Sequence, residues 1–369
     1  MKKSVIDINR TINDLCSIIF LLIHKHHVQI SLIILLIIVL QSDLILADTQ
    51  NPMDAPDNRI ILHGGDWDSF KLINAIASYI LKNGYGYTPQ IYPEPEKKVS
   101  ESLSSRTVDI SLEVWKENHP PELQNYIEIG AIIDMGKIYE NAAHTYIIPD
   151  HVAQQYSIRT MEDMQHYWYL CKDPEEPTKG LFYNALITWL VHDSNLKKLD
   201  AYGLSPYYNP VTMPSSRAYE EVFMKAAREN RTVFGMYWIP SAVMGTGYWK
   251  ELEEPTLPSC TNETILNLNL VNANQSQICP FTSSSVHKLV SRDFYDSAPE
   301  VVSFLIALKP DENEISRTLT FGYLNNISDW DRLSEEYLIN NEEKWKSWVS
   351  TDAYIRIKRT LAVNTDETE

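Results

Sequence analysis

At 369 residues, with 44% hydrophobic and 22% charged side chains, the chain has the composition of a folded protein and the length for a core divided over about two domains. Its formal charge of -17 and the lack of a basic stretch exclude nucleic acid and anionic membrane surfaces as partners, because nothing is present to neutralise phosphates. A cationic or zwitterionic ligand remains compatible with that charge.

Residues 1–47 read as an export signal. Ile30 to Leu40 is an almost unbroken apolar run, preceded by Lys2, Lys3, Arg10 and Lys25. The run is short for a full span and Ile45-Leu46-Ala47 is an acceptable cleavage site, so a cleaved peptide is expected ahead of an uncleaved signal anchor. No cysteine stands at the end of the run to carry a lipid. No later stretch is apolar enough to cross a bilayer, which excludes a channel or permease. The expected location is extracellular or periplasmic, with tethering by an uncleaved N-terminal segment as the variant.

A polar leader at 48–57 precedes the fold. Arg59 to His63 reads as a buried strand and Gly64-Gly65-Asp66 as a turn. Ser69 to Asn83 follows as a helix, with Phe70, Ile73, Ala77, Ile80 and Leu81 on one face and Gly84 as its stop. In the next strand, Val108 to Trp115, the apolar Val108, Ile110, Leu112 and Val114 alternate with polar residues. His144 to Pro149 is a further strand, and Thr160 before Glu162 and Asp163 marks a helix start. Strand and helix keep alternating through Gly180 to His192, Ala218 to Asn230 and Val233 to Ile239, with LFYNALITWLV taken as an apolar helix. Helical periodicity returns at Pro299 to Leu308 and Ser334 to Val349. The order defines an α/β fold.

The stretch from Leu252 to Phe281, rich in proline and asparagine, reads as a surface insertion. In an oxidising compartment the simplest bridge closes the loop from Cys260 to Cys279, worth about 3 kcal/mol. Sequence leaves other pairings open, and Cys171 is odd. Glycosylation sequons begin at Asn230, Asn262, Asn274 and Asn326.

Three tryptophans sit where an open α/β sheet places its ligand crevice, beyond the carboxyl ends of strands: Trp67 after the glycine turn, Trp115 at a strand end, and Trp238 before Pro240. Converging indoles suit a quaternary ammonium ion, which donates no hydrogen bonds and is held by π faces, although packing and a sugar platform also use such residues. Trp189, Trp345 and Trp348 read as core.

The ordered blocks HGGDWDSF, VDISLEVWKENHPP, AAHTYIIPDHVAQQYSIRTMEDM, VFGMYWIP and NNEEKWKSWV resemble those of the glycine betaine, proline betaine and choline binding proteins of ABC importers. The resemblance implies a type II periplasmic-binding-protein-like fold of two lobes with a ligand cleft between them. It divides the chain into 58–150, 151–284 with the 252–281 insertion, a return at 285–350 and a polar tail at 351–369. It implies a cage of Trp67, Trp115 and Trp238 with Tyr146 as fourth wall, His144 nearby, and Gly180 at a helix start offering N–H groups to a ligand carboxylate. Where the family has an acid two positions after its first tryptophan, this chain has Ser69, and the flanking acids are Asp66 and Asp68.

Catalytic, phosphate-loop and zinc-protease motifs do not occur, and His24, His26 and His27 precede the apolar run, so no enzyme activity, cofactor or metal is expected. Cys171 reads as a structural thiol. The expected partners are a quaternary ammonium ligand and an importer permease. The rival readings are a secreted enzyme, or a surface interaction protein on the same frame without a betaine ligand.

Overall fold

In the computed structural model the described residues are 58–255, 279–281 and 286–366. The signal, the leader, Cys260, Asn262 and Asn274 lie outside the described residues, as does most of the insertion.

The chain lays down β1 (Arg59–Gly64), β2 (Thr88–Pro93), β3 (Ile110–Trp115) and β4 (Ile132–Lys137). It then passes to β5 (Ala143–Pro149), β6 (Gly180–Asn184), β7 (Tyr208–Thr212), β8 (Gly235–Ile239) and β9 (Trp249–Leu252), and comes back as β10 (Val286–Ser291). These strands make two sheets, ordered β2-β1-β3-β10-β4 and β7-β6-β8-β5-β9. Within the first sheet β1 pairs parallel to β2 and β3. In each sheet the strand that arrives from the other lobe is antiparallel to its neighbours: β10 against β3 and β4, β5 against β8 and β9. The two-lobed α/β architecture stands, and β5 belongs to the second sheet, so the first lobe's opening segment ends at β4, ahead of the 150/151 boundary expected from the sequence.

Helix α1 (Asp68–Tyr85) buries Phe70, Ile73, Ile76, Ala77 and Ile80 against the first sheet. It runs through Gly84 and stops at Gly86, whose φ of 78° a side chain would disfavour. Gly84 serves a different purpose. A Cβ there would sit 3.0 Å from the Ile357 side chain, so the small residue lets another helix approach closely. That helix lies in the segment expected to be a polar tail. Residues Thr351–Asp366 are helical, with Ala353, Ile357 and Leu361 buried along one stripe and Arg356 donating to the Gly84 carbonyl at 2.7 Å. Two short apolar steps per face, set among charges, disguised this amphipathic helix.

The segment 180–192 also departs from expectation. Its first half is β6, in which Gly180 donates its N–H to the Tyr207 carbonyl at 2.8 Å and pairs with Tyr208. A turn follows, and helix α2 (His192–Ala201) begins only after it. An apolar run of this length fits a buried strand as well as a helix, and a Cβ at Gly180 would lie 2.7 Å from both the Trp168 carbonyl and the Tyr208 ring. Helix α3 (Ser216–Glu229) is capped by the Ser215 hydroxyl, which accepts from Ala218 N.

Candidate functional site between the lobes

The glycine turn after β1 delivers Asp66 and Trp67 to the start of α1, and β3 ends in Glu113 and Trp115. Every residue of β3 is buried, the polar Ser111 and Glu113 included. Its polar face therefore meets protein rather than water. The Glu113 carboxylate accepts from Trp67 Nε1 at 2.7 Å, from Ser69 Oγ at 2.9 Å, from Trp115 Nε1 at 3.3 Å and from the Tyr139 hydroxyl at 3.3 Å. Burial pushes Glu113 up to about 7, opposed in part by those four donors.

From the second lobe come Trp238 at the end of β8 and Trp189 in the turn before α2. Trp189 donates Nε1–H to Asp66 at 2.6 Å, and Trp238 donates to Ser69 Oγ at 3.3 Å. The two rings stand nearly perpendicular at 5.1 Å. Trp67 stacks on Phe70 at 5.1 Å and Trp238 on Tyr237 at 4.5 Å. Each of these two indoles is thus held in its plane by a ring behind it and at its edge by a hydrogen bond.

Trp67, Trp115, Trp189 and Trp238 together line one tight cavity of about 20 Å³, room for about one water. Glu96, Asn118 and His144 line it as well, with Val191 and Met236. His144 lies against Trp115 at 4.2 Å, and burial, with the Lys198 charge second, lowers it to about 3, so it is neutral. Glu96 enters from the one-turn helix Glu96–Lys98 after β2 and accepts the Leu190 N–H at 3.1 Å. Burial, joined by Asp66 and Glu113, pushes it up to about 7.

Of the residues singled out from the sequence, Trp67, Trp115, Trp238 and His144 meet at this cavity. Tyr146 does not line it. Its ring is fully buried beside Phe182 and Phe281, and its hydroxyl donates to Asn195 at 3.1 Å. The fourth indole at the cavity is Trp189, which the sequence assigns to the core as part of an apolar helix within 180–192. Gly180 sits inside a sheet with its N–H engaged, not at a helix N-terminus, so it has no free donor for an anion. Asp68 faces a separate cleft, ion-paired with Lys71 at 2.9 Å and beside Glu220. Glu96, Asn118 and Glu113 also escaped the sequence reading. A charged residue at alternate positions of a strand whose other face is apolar, as Glu113 is, was the available signal. Cys171 is buried and burial raises its thiol to about 12, which makes it inert.

Two lobes closed on a cavity at the carboxyl ends of their strands define the class of two-lobed solute-binding proteins. Solved structures share the fold. A choline binding protein of an ABC transporter in complex with choline superposes with a TM-score of 0.61 at 15% identity, covering 84% of this chain and 100% of that one. A glycine betaine, L-proline binding protein from Borrelia burgdorferi gives 0.59 at 16%, covering 81% and 99%. The lactococcal protein complexed with glycine betaine in its closed-liganded conformation gives 0.60 at 13%, covering 79% and 99%. The sequence model of the substrate binding domain of ABC-type glycine betaine transport systems matches residues 58–320, and the chain belongs to that family. No curated protein matches it by sequence. It is a solute-binding protein, not an enzyme.

Proposed function

We propose that the cavity captures a small quaternary ammonium compound, of the glycine betaine, proline betaine or choline kind, among four indoles. The observation that carries this reading is how the indole N–H groups are spent. All four donate to protein acceptors, Glu113, Asp66 and Ser69. What remains for a ligand is π surface, and π surface holds a methylated ammonium ion that can neither give nor take a hydrogen bond. Replacing Trp67 or Trp238 by alanine is expected to lower affinity for the preferred ligand at least tenfold by titration calorimetry, since a desolvated cation–π contact is worth about 2 kcal/mol. Circular dichroism should show the fold retained. Unchanged affinity in both variants overturns the cage, and a lack of tryptophan fluorescence response across choline and betaines favours an interaction protein without such a ligand.

The same reading places the protein outside the cytoplasm, exported by residues 1–47 and delivering its ligand to a permease of the ABC type. The Cys260 to Cys279 bridge and glycans at the sequons belong to that proposal. Among the described sequons, Asn230 and Asn326 are exposed.

A further inference from the structure

A second cleft, separate from the indole cavity, has a volume of about 510 Å³, inside the range of about 300–1,000 Å³ in which proteins hold small ligands. The first turn of α1 and one face of α3 line it, together with the helices Glu312–Leu324 and Trp330–Asn340. Some of its polar groups are spent on one another. Arg228 donates to the Tyr323 hydroxyl at 2.8 Å and to Glu221 at 2.7 Å, and Lys71 pairs with Asp68 at 2.9 Å. Others are not. Among the described residues Arg217, Ser328, the Asn326 side chain and the Trp330 indole N–H make no hydrogen bond or salt bridge. Lys71 lies over the Trp330 ring at 5.5 Å.

All three positions of the sequon Asn326-Ile327-Ser328 line this cleft. Asn326 is exposed and stands in a left-handed turn with a φ of 54°, just after the helix Glu312–Leu324. The other described sequon differs: Asn230 lies outside the cleft, and its side-chain oxygen accepts from the Tyr248 hydroxyl at 3.0 Å. A pyranose has an apolar face that suits an indole and a rim of hydroxyls that both give and accept hydrogen bonds. Trp330 and Arg217 supply donors for that rim. Burial, then Asp68, pushes Glu220 up to about 8, so its carboxyl keeps a proton to donate as well.

We propose that Asn326 carries an N-linked glycan whose first N-acetylglucosamine seats in this cleft, against Trp330 and hydrogen-bonded to Arg217 and Glu220, so that one sugar spans helices of both lobes. The inference rests on the export reading above and not on the ligand. The donor is a lipid diphosphate-linked sugar of the secretory compartment. The Asn326 amide nitrogen bonds to C1 of the sugar and loses a proton, the C1–O bond breaks, and the lipid diphosphate leaves.

The full chain secreted from a eukaryotic host tests this by peptide mass mapping and thermal melts. Asn326 is expected to carry the sugar. Trimming the glycans to a single N-acetylglucosamine should leave the melting temperature unchanged. Ser328→Ala, which removes the sequon and keeps Asn326, should lower it by about 2–4 °C. In the same chain made in bacteria, without glycans, Ser328→Ala should not move it. An unmodified Asn326 beside sugar at other sequons overturns the inference alone, and so does an occupied Asn326 with equal melting of wild type and Ser328→Ala. If no sequon carries sugar, the export reading falls with it.

Discussion

Glu113 gathers the indole edges of Trp67 and Trp115 and the Ser69 hydroxyl onto one buried carboxylate, and Ser69 in turn receives Trp238. Such a residue has consequences for stability against pH. Glu96 and Glu113 both move from an ordinary 4.5 to about 7 in the folded protein, burial being the larger cause in each. The folded state then binds these protons more tightly than the unfolded chain. Their stabilising contribution is full below about pH 4.5 and is lost as pH rises through about 7. The melting temperature of the empty protein should accordingly fall between about pH 5 and 8, and Glu113→Gln should flatten that slope. Some slope persists in the variant, because Glu220, pushed up to about 8 by burial and then by Asp68, acts in the same sense while Lys71 and Arg217 oppose it. A slope unchanged by Glu113→Gln would remove this account.

At the level of elements, the link between the second sheet and the returning chain depends on a buried ion pair. Lys198 on α2 is 4% exposed and pairs with Glu254, just beyond β9, which also accepts from the Tyr202 hydroxyl at 2.6 Å and from Phe281 N at 2.6 Å. Burial lowers Lys198 to about 8, with Glu254 opposing. Replacing Glu254 by alanine strands the ammonium in the core and should destabilise the protein by about 3–5 kcal/mol in urea unfolding, whereas the double change Lys198→Met with Glu254→Leu should cost far less. An equal loss in both would mean that packing, not charge, holds the segment. Element periodicity made β1, α1, β5 and β8 legible beforehand. It misassigned β6, where strand and helix patterns overlap, and missed the helix at Thr351–Asp366, whose stripe makes sense only against Gly84.

Across the whole molecule, the lobes are latched shut by hydrogen bonds from one to the other. Trp189 and the Ser216 hydroxyl both reach Asp66, the latter through its carbonyl at 2.6 Å, while Trp238 reaches Ser69 and Leu190 N reaches Glu96. Asp66 does not line the cavity, so its removal acts through closure rather than contact. Asp66→Ala should weaken ligand binding by about 1–3 kcal/mol, the loss of one charge-assisted hydrogen bond, and leave the ligand-free radius of gyration larger in X-ray scattering. Wild-type affinity with an unchanged radius would show that the latch contributes nothing.

The sequence by itself determined the α/β class and three indoles at strand ends, because period, turn residues and strand position are local properties written along the chain, while the two-lobed frame was implied by the family resemblance. Tertiary structure decided the rest. Trp189 replaced Tyr146 at the cavity, Asp66 and Asp68 parted to different clefts, and Glu96 arrived from a loop that carries no motif. Those choices depend on how two sheets face each other, and on which buried carboxylate each indole edge can reach, and neither is set by spacing along one strand or helix.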